Sequence, residues 1–219
     1  MDKVIVFDFD GVLADTLDDM LHIAGQVCAA MGYPCQPSPD DLNALDKMEF
    51  IELGRQLGIP EQYAGEFVER TFRLFCSRPV PPQIFPGMRD VMIDLAKESR
   101  IGILTGNTLQ VVDRFLETND LSVAVEVIMS ADAAGSRSEK LGRIISQLGA
   151  PGGRAYLVGD AVSDVRAARK CLATSIAVTW GHQSEAKLRS AGPDHLVHTP
   201  QELLALLQEN GMDRTGKKP

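Results

Sequence analysis

Short runs of hydrophobic residues alternate along the chain with longer stretches in which hydrophobic positions recur every three or four residues. Five of the runs are rich in Val and Ile and lack polar alternation, as expected of parallel strands covered on both faces. These runs are 4–7, 101–104, 123–129, 155–158 and 175–178. The pattern therefore predicts five buried β-strands.

Amphipathic helices are predicted between these strands, because hydrophobic residues there fall on one helical face. Three such stripes are Met88, Val91, Met92 and Leu95; Leu109, Val112, Phe115 and Leu116; and Leu141, Ile144, Ile145 and Leu148. Strands that alternate with helices of this length form βαβ units. We therefore predict an α/β fold with a doubly wound, parallel, five-stranded, Rossmann-like sheet.

One interval, residues 16–79, contains no strand-like run. It has helical stretches separated by Gly- and Pro-containing turns, and Ser38 or Asp40 is suited to cap the helix that follows. The proline-rich segment 79–82 then forms a stiff connector. We predict a helical cap at 16–79, inserted into an α/β core formed by 1–15 and 80–212. The polar tail 213–219 is expected to be disordered.

Composition limits the class of protein. The 219 residues are 44% hydrophobic and 24% charged, as in an ordinary globular domain. The net charge of −8 disfavours a nucleic-acid partner, because nucleic-acid phosphates would be repelled. No apolar stretch approaches the ~20 residues that span a bilayer.

Four scattered cysteines without a C-x-x-C pair, and no secretory signal at the start, favour a cytoplasmic protein with reduced thiols. The sequence does not decide whether the protein is a monomer or a dimer.

Two acids directly follow the first predicted strand. Asp8 and Asp10 flank Phe9, and Gly11 comes next. Unpaired carboxylates are costly to bury, so acids at this position imply a cation, a solvated cleft or both. Ligands of open α/β sheets bind at the carboxyl ends of the strands. The first strand therefore predicts a metal-dependent active site.

Polar residues also follow the other predicted strands. The second strand leads into a hydroxyl and small residues whose backbone N–H groups can hold an anion, the third into a basic segment, and the fourth into a second acidic pair. The candidates are Thr105, Gly106 and Asn107; Arg137 and Lys140; and Asp160 and Asp164. Acids, a hydroxyl and a cation at neighbouring strand ends are suited to phosphoryl transfer.

These motifs resemble those of the haloacid dehalogenase-like (HAD) hydrolase superfamily. They occur in order as Asp8-Phe9-Asp10-Gly11-Val12-Leu13, Ile103-Leu104-Thr105-Gly106-Asn107, a basic residue, and Val158-Gly159-Asp160 with Asp164. The likeness spans nearly the whole chain and is greatest to phosphoglycolate phosphatase-like phosphatases with a helical, C1-type cap. It implies hydrolysis of a small phosphorylated metabolite with Mg²⁺ as the cofactor.

The resemblance also implies roles for individual residues. Asp8 would be the nucleophile that forms an aspartyl-phosphate, and Asp10 the general acid and base. The metal ligands would be Asp8, the backbone carbonyl of Asp10 and Asp160, with Asp164 supporting the metal shell. Phosphate oxygens would be held by Thr105, Gly106, Asn107 and the basic residue.

The basic motif departs from the usual pattern of the superfamily, a Lys followed by Pro or Ser. Arg137 lies 23 residues before Asp160, the expected spacing, and directly precedes Ser138, the predicted N-cap. Lys140 lies one helical turn onward and could reach the same site. We favour Arg137, whose planar guanidinium can bind phosphate through two hydrogen bonds.

Other functions stay open at this point. A phosphomutase of the β-phosphoglucomutase type would use the same residues, whereas a phospho-receiver module would be shorter and lack the helical insertion. A dehalogenase would not need Asp10. The four histidines, including His182, are interpreted as structural or surface residues. In the cap, residues 46–48 and Arg55 could touch the substrate, although a solvated helix face is the preferred interpretation.

Overall fold

The computed structural model describes residues 3–150 and 154–209. The predicted tail lies outside these residues. Eight strands are present within them: β1 (Val4–Asp8), β2 (Ala14–Asp15), β3 (Gln83–Ile84), β4 (Arg100–Leu104), β5 (Val127–Met129), β6 (Ala155–Gly159), β7 (Thr174–Val178) and β8 (His195–Val197). Ten helices accompany them: α1 (Leu17–Ala30), α2 (Pro39–Ala44), α3 (Phe50–Gln56), α4 (Glu61–Cys76), α5 (Met88–Ala96), α6 (Leu109–Thr118), α7 (Arg137–Leu148), α8 (Val162–Lys170), α9 (Glu185–Ala191) and α10 (Pro200–Glu209).

Six of the strands form the central sheet, in the order β5-β4-β1-β6-β7-β8, and all neighbouring pairs are parallel. From β1 the chain builds outward through β4 to β5 on one side, and through β6 to β8 on the other. Ligands of doubly wound sheets bind where the direction of winding changes, outside the carboxyl ends of the strands. The sheet therefore places its ligand crevice at the end of β1.

Strand β1 is covered on both faces, which explains its continuous hydrophobic sequence. Ile5 and Phe7 are fully buried in the cluster that includes residues of α5, α6 and α10. Val4 and Val6 belong to the opposite cluster, with residues of α7 and α8. The strand is thus held rigidly between two cores, and its last residue is presented at the sheet edge.

The doubly wound parallel sheet is confirmed, but it has six strands rather than five. The additional strand, β8, pairs with β7 and was missed because its three residues are too few to form a recognisable pattern. The third predicted strand is also shorter than 123–129. Val123 is 97% exposed, and a turn in which the Ala124 N–H donates to the Leu121 carbonyl precedes β5.

Helices α1 to α4 occupy the interval predicted for the cap and share a separate hydrophobic cluster, which includes Ile23, Val27, Leu42, Leu53 and Phe67. The short strands β2 and β3 pair antiparallel where the chain leaves and re-enters the α/β part. Of the two predicted capping candidates, Ser38 is the N-cap of α2 and Asp40 lies in its first turn. The assignment of residues 16–79 as a separate cap domain remains a prediction.

Within the ranges 3–150 and 154–209, the helices are all too short or too polar to span a lipid bilayer.

Candidate active site

The end of β1 positions the two acids of the first motif. Asp8 is the last residue of the strand, and its side chain is 14% exposed. The Phe9 N–H donates to Asp8 Oδ1 at 2.7 Å, while Phe9 itself is fully buried. Gly11 then turns the chain with a φ of +77°. The strand, the buried ring and the turn together direct Asp8 and Asp10 into one cavity.

Three carboxylates from two strand ends converge at this point. Asp8, Asp160 and Asp164 each offer an oxygen, and these oxygens lie within 4.8 Å of one another. Asp160 packs directly against Gly11. A Cβ atom added at Gly11 would lie 2.0 Å from Asp160 Oδ2, so a side chain at position 11 would clash with this carboxylate. Clustered carboxylate oxygens are the ligands that Mg²⁺ prefers. This donor set therefore fits a hard divalent cation.

Burial dominates the electrostatics of this cluster. It raises the pKa of Asp160 to about 7, with a further contribution from the neighbouring charge of Asp8. It also raises the pKa of Asp164 to about 7, and Arg137 opposes that shift. Charged carboxylates held this close repel one another unless a cation lies among them. The cluster is therefore suited to binding positive charge.

Arg137 supplies one positive charge to these acids. Its Nη2 lies 2.7 Å from Asp8 Oδ2, its Nε donates to Asp164 Oδ1 at 2.6 Å, and Nη2 also contacts that oxygen. Burial lowers the pKa of the Arg137 guanidinium, but the two carboxylates outweigh burial and leave the pKa above its ordinary value. The guanidinium is therefore charged and bridges the nucleophile candidate to the second acidic pair.

The start of α7 differs from the prediction. Ser136, not Ser138, is the N-cap: its hydroxyl accepts from the Glu139 N–H, and Glu139 in turn accepts from the Ser136 N–H at 2.7 Å. Arg137 is consequently the first residue of the helix. Lys140 also lines the cavity, but its Nζ donates to the Ser130 carbonyl at 2.7 Å. The geometry thus brings Arg137, rather than Lys140, against Asp8.

The loop after β4 supports Asp10. Asn107 Nδ2 donates to Asp10 Oδ2 at 2.6 Å, and the Asn107 N–H donates to Thr105 Oγ1 at 2.9 Å. Thr105, Gly106 and Asn107 all line the cavity, and Thr105 is 2% exposed. The side chain of Asn107 is therefore engaged by the second acid, a role that sequence reasoning did not assign to it.

Asp10 has one unsatisfied oxygen. Its Oδ1 is buried and has no hydrogen-bond partner among the described residues. Burial raises the pKa of Asp10 to about 6, helped by the charge of Asp8 and opposed by His182, Thr16 and Arg78. A carboxyl group with this pKa can both donate and accept a proton near neutral pH.

Two residues of the site were missed. His182, interpreted as structural or surface, is buried and lines the cavity; its N–H donates to Asp160 Oδ2 at 2.7 Å. Burial lowers the pKa of its imidazole. Gln183 accepts from the Val162 N–H at 2.8 Å and donates to the Leu45 carbonyl at 2.7 Å, so it links the start of α8 to the cap. Neither residue carries a spacing signal in the sequence.

A cavity of about 680 Å³ lies between the acids and the helices of the inserted segment. Asp46, Lys47 and Met48 line it, yet the Asp46 side chain is 72% exposed and Lys47 is exposed, which agrees with the preferred interpretation of a solvated surface for these two. Arg55 instead donates to Glu61 at 2.7 Å and 2.9 Å on the exposed surface. The cavity is large enough for a small-molecule ligand.

Comparisons with known proteins agree with this geometry. A phosphoglycolate phosphatase from Synechococcus elongatus is 30% identical over 204 residues, which are 92% of this chain and 95% of that protein. Another from Caulobacter vibrioides is 25% identical, covering 97% and 95%.

Solved structures show the same fold. A haloacid dehalogenase-like hydrolase from Streptococcus pneumoniae superposes with a TM-score of 0.83 at 20% identity, covering 94% of this chain and 98% of that one. A hydrolase from Pseudomonas syringae gives 0.78 at 21% identity, covering 94% and 98%. The profile of the haloacid dehalogenase-like hydrolases matches residues 5–178. The chain therefore belongs to the haloacid dehalogenase-like hydrolase family.

Proposed function

We propose that this HAD-family phosphatase hydrolyses a small phosphomonoester through a phosphorylated Asp8, in a reaction that depends on Mg²⁺. One observation carries the proposal: a strand-end carboxylate, Asp8, opens into a cavity while two further acids and a guanidinium surround it. The names of the phosphoglycolate phosphatase relatives support the reaction class.

Asp8 is placed to act as the nucleophile. The Phe9 N–H and the Arg137 guanidinium bind its two oxygens, which fixes the orientation of the carboxylate. An Asp8 oxygen forms a bond to phosphorus as the bond from phosphorus to the leaving oxygen breaks. Water then attacks the same phosphorus, which releases phosphate and restores the Asp8 carboxylate.

Asp10 is placed to move the proton in both steps. Its Oδ1 is buried and makes no hydrogen bond to the described residues, and Asn107 holds Oδ2. In the first step the protonated carboxyl gives its proton to the leaving alkoxide. In the second it takes a proton from the attacking water. A pKa of about 6 allows both transfers.

The acidic cluster would hold the metal. Asp8 and Asp160, with the backbone carbonyl of Asp10, are the proposed ligands, and Asp164 supports them while it orients Arg137. A bound Mg²⁺ supplies neutralisation of the phosphate charge, which otherwise repels a carboxylate nucleophile. Asp160 keeps its position through the His182 N–H.

The remaining candidates bind phosphate oxygens in this proposal. Arg137 lies against Asp8, where its guanidinium is also close to an oxygen of a phosphoryl group that Asp8 attacks, and Lys140 lines the same cavity from the same helix. Thr105 and Gly106 line the same cavity. The inserted helices cover the cavity and exclude bulk water from the reacting phosphorus.

Release of inorganic phosphate from a panel of phosphomonoesters, with Mg²⁺ or with EDTA, tests the proposal. We expect turnover with Mg²⁺ that EDTA abolishes, and a loss of at least about a thousandfold in Asp8→Asn. Asp113→Asn, on an exposed position of α6, is the matched control and should keep full activity. Transfer of phosphate between sugar positions without its release would instead indicate a phosphomutase.

A further inference from the structure

The cavity has a second wall that the proposed chemistry does not use. Helix α4 ends beside the reacting groups, because Cys76 Sγ lies 3.9 Å from Asn107 Oδ1, and Asn107 holds Asp10. Val68 and Phe72 line the cavity from the same face of this helix. With a rise of 1.5 Å per residue, they lie about 12 Å and about 6 Å before Cys76 along the helix axis.

Helix α3 completes this apolar wall. Phe50, at its first position, lies edge-on to Phe72 with ring centroids 6.5 Å apart and edge-on to Phe75 at 5.7 Å. Phe50 and Phe72 are both partly exposed and line the cavity. Partly exposed aromatic rings in a substrate cavity have surface left to bury against a ligand. We use the name "aromatic wall" for Phe50, Val68 and Phe72.

The aromatic wall itself offers no cation to an anionic leaving group. Asp46 and Glu49, which line the cavity beside Lys47, are exposed to solvent, as is Lys47. Arg166, also in the lining, lies 3.5 Å from Asp46. Arg137 and Lys140 are engaged by Asp8, Asp164 and the Ser130 carbonyl. The remaining lining lysines, Lys47 and Lys170, are exposed to solvent.

We propose that the leaving group of the substrate is an uncharged, apolar alcohol of about the size of an aromatic ring, bound against the aromatic wall of Phe50, Val68 and Phe72. The inference rests on the proposed phosphatase reaction and narrows its substrate class. The cavity of about 680 Å³ extends from the acids to the aromatic wall and is large enough to hold a ring besides the phosphoryl group.

The test compares leaving groups of similar intrinsic reactivity. Steady-state kcat/KM is measured with Mg²⁺ for 2-phenylethyl phosphate, ethyl phosphate and 2-phosphoglycolate. We expect 2-phenylethyl phosphate to exceed ethyl phosphate by about 30-fold, because the ring leaves water on binding. It should exceed 2-phosphoglycolate by at least as much, since a carboxylate bound against the aromatic wall would lose water without gaining a cation.

Variants on one helix locate the effect. Phe72→Ala should reduce the ratio of 2-phenylethyl to ethyl phosphate by about five- to tenfold, and Phe72→Leu should reduce it less. Leu74→Ala is the control: Leu74 is 43% exposed on the same helix and does not line the cavity. It should leave the ratio unchanged. If Phe72→Ala fails to fold, the ratio of kcat/KM for 2-phenylethyl phosphate to that for ethyl phosphate, measured in the unaltered protein and in Phe72→Leu, still tests the inference.

The outcomes separate the two claims. Turnover of ethyl phosphate or 2-phosphoglycolate at a rate equal to or above that of 2-phenylethyl phosphate would overturn the inference and leave the phosphatase proposal standing. No turnover of any of the three with Mg²⁺ would overturn both. An unaltered ratio in a folded Phe72→Ala would show that the ring binds elsewhere and would also overturn the inference.

Discussion

Asn107 Nδ2 lies 2.6 Å from Asp10 Oδ2, a contact between residues 97 positions apart in the chain. This hydrogen bond leaves Oδ1 as the oxygen of Asp10 without a partner among the described residues. It also favours the charged form of a carboxyl whose pKa burial raises to about 6. Asn107 thereby positions the proposed general acid and base, besides lining the cavity.

Replacement of Asn107 tests this contact. Asn107→Ala removes the donor, so the pKa of Asp10 should rise further and its orientation should loosen. We expect kcat to fall by about 10- to 100-fold, as for a hydrogen bond to a charged group. The apparent pKa of the kcat profile for an alkyl phosphomonoester should move upward. Asn119→Ala, which removes a bond to the Phe115 carbonyl on α6, should change neither quantity. An unshifted profile in Asn107→Ala would contradict this role.

Arg137 is expected to act through two contacts that lysine cannot reproduce together. Its Nε and Nη2 reach Asp164 and Asp8, respectively. Arg137→Lys keeps the charge and loses the bridge, so kcat/KM should fall by about tenfold. Arg137→Met leaves buried acids without their cation, and unfolding free energy without metal should fall by about 3–5 kcal/mol. Arg143→Lys on the same helix is the control. Equal activity of Arg137→Lys and the unaltered protein would contradict the bridge.

The acidic cluster predicts a pH dependence of stability. Burial raises the pKa of Asp160 from 3.8 to about 7, so between these values the folded protein binds a proton that the unfolded chain has lost. This carboxyl therefore makes the metal-free protein less stable as pH rises from about 4 to about 7. Mg²⁺ should restore stability, and more at pH 7.5 than at pH 5.5, because metal binding requires the charged form.

Asp160→Asn isolates that contribution. Burial lowers the pKa of His182, so this residue makes the folded protein more stable as pH rises near pH 6, opposite to the effect of Asp160. The unaltered protein and the variant are therefore compared at each pH, and EDTA keeps both free of metal. The asparagine oxygen can still accept from the His182 N–H. Urea denaturation between pH 5 and pH 7.5 should show the variant gaining stability relative to the unaltered protein as pH rises. A difference that is constant over this range would contradict the raised pKa of Asp160.

Gln183 is expected to hold the cap segment near the core. It is 1% exposed and bonds to both the Val162 N–H and the Leu45 carbonyl. Gln183→Ala leaves the Val162 N–H without this partner and removes one of two donors to the Leu45 carbonyl, the other being Lys187 Nζ at 2.6 Å. The loss should lower the unfolding free energy by about 1–3 kcal/mol. Hydrogen exchange should accelerate in peptides spanning 42–53. Exposed Gln56→Ala should leave those peptides unchanged. Unchanged exchange in Gln183→Ala would show that Gln183 does not hold the cap segment.

Much of the fold follows from local patterns. The buried strand β1 and the helices α5, α6 and α7 were predicted because their hydrophobic periods are unambiguous, and the parallel sheet follows from their alternation. Strand β8 was missed because pairing with β7, rather than its own three residues, makes it a strand. Edge strands of this length carry too few residues for a pattern.

The candidate site likewise contains residues that local sequence patterns predict and residues that only the folded chain brings together. Asp8, Asp160 and Asp164 could be placed together because each follows a predicted strand end. His182 and Gln183 lie in a loop after β7, and only the folded chain brings them against Asp160 and Leu45. The N-cap of α7 was placed at Ser138 because two serines compete there. Glu139 decides for Ser136, since it lies at the position that completes the capping box.

The central claim is that Asp8 carries the phosphoryl group, and trapping it during turnover tests that most directly. Asp10→Asn should slow attack by water, so the intermediate should accumulate with Mg²⁺ and a good leaving group such as p-nitrophenyl phosphate. Acid quench, borohydride reduction of the acyl phosphate to an alcohol, and peptide mass spectrometry then locate it. We expect the modification at residue 8 alone. Phosphate release without any modification of Asp8, or trapping on another side chain, would contradict the account.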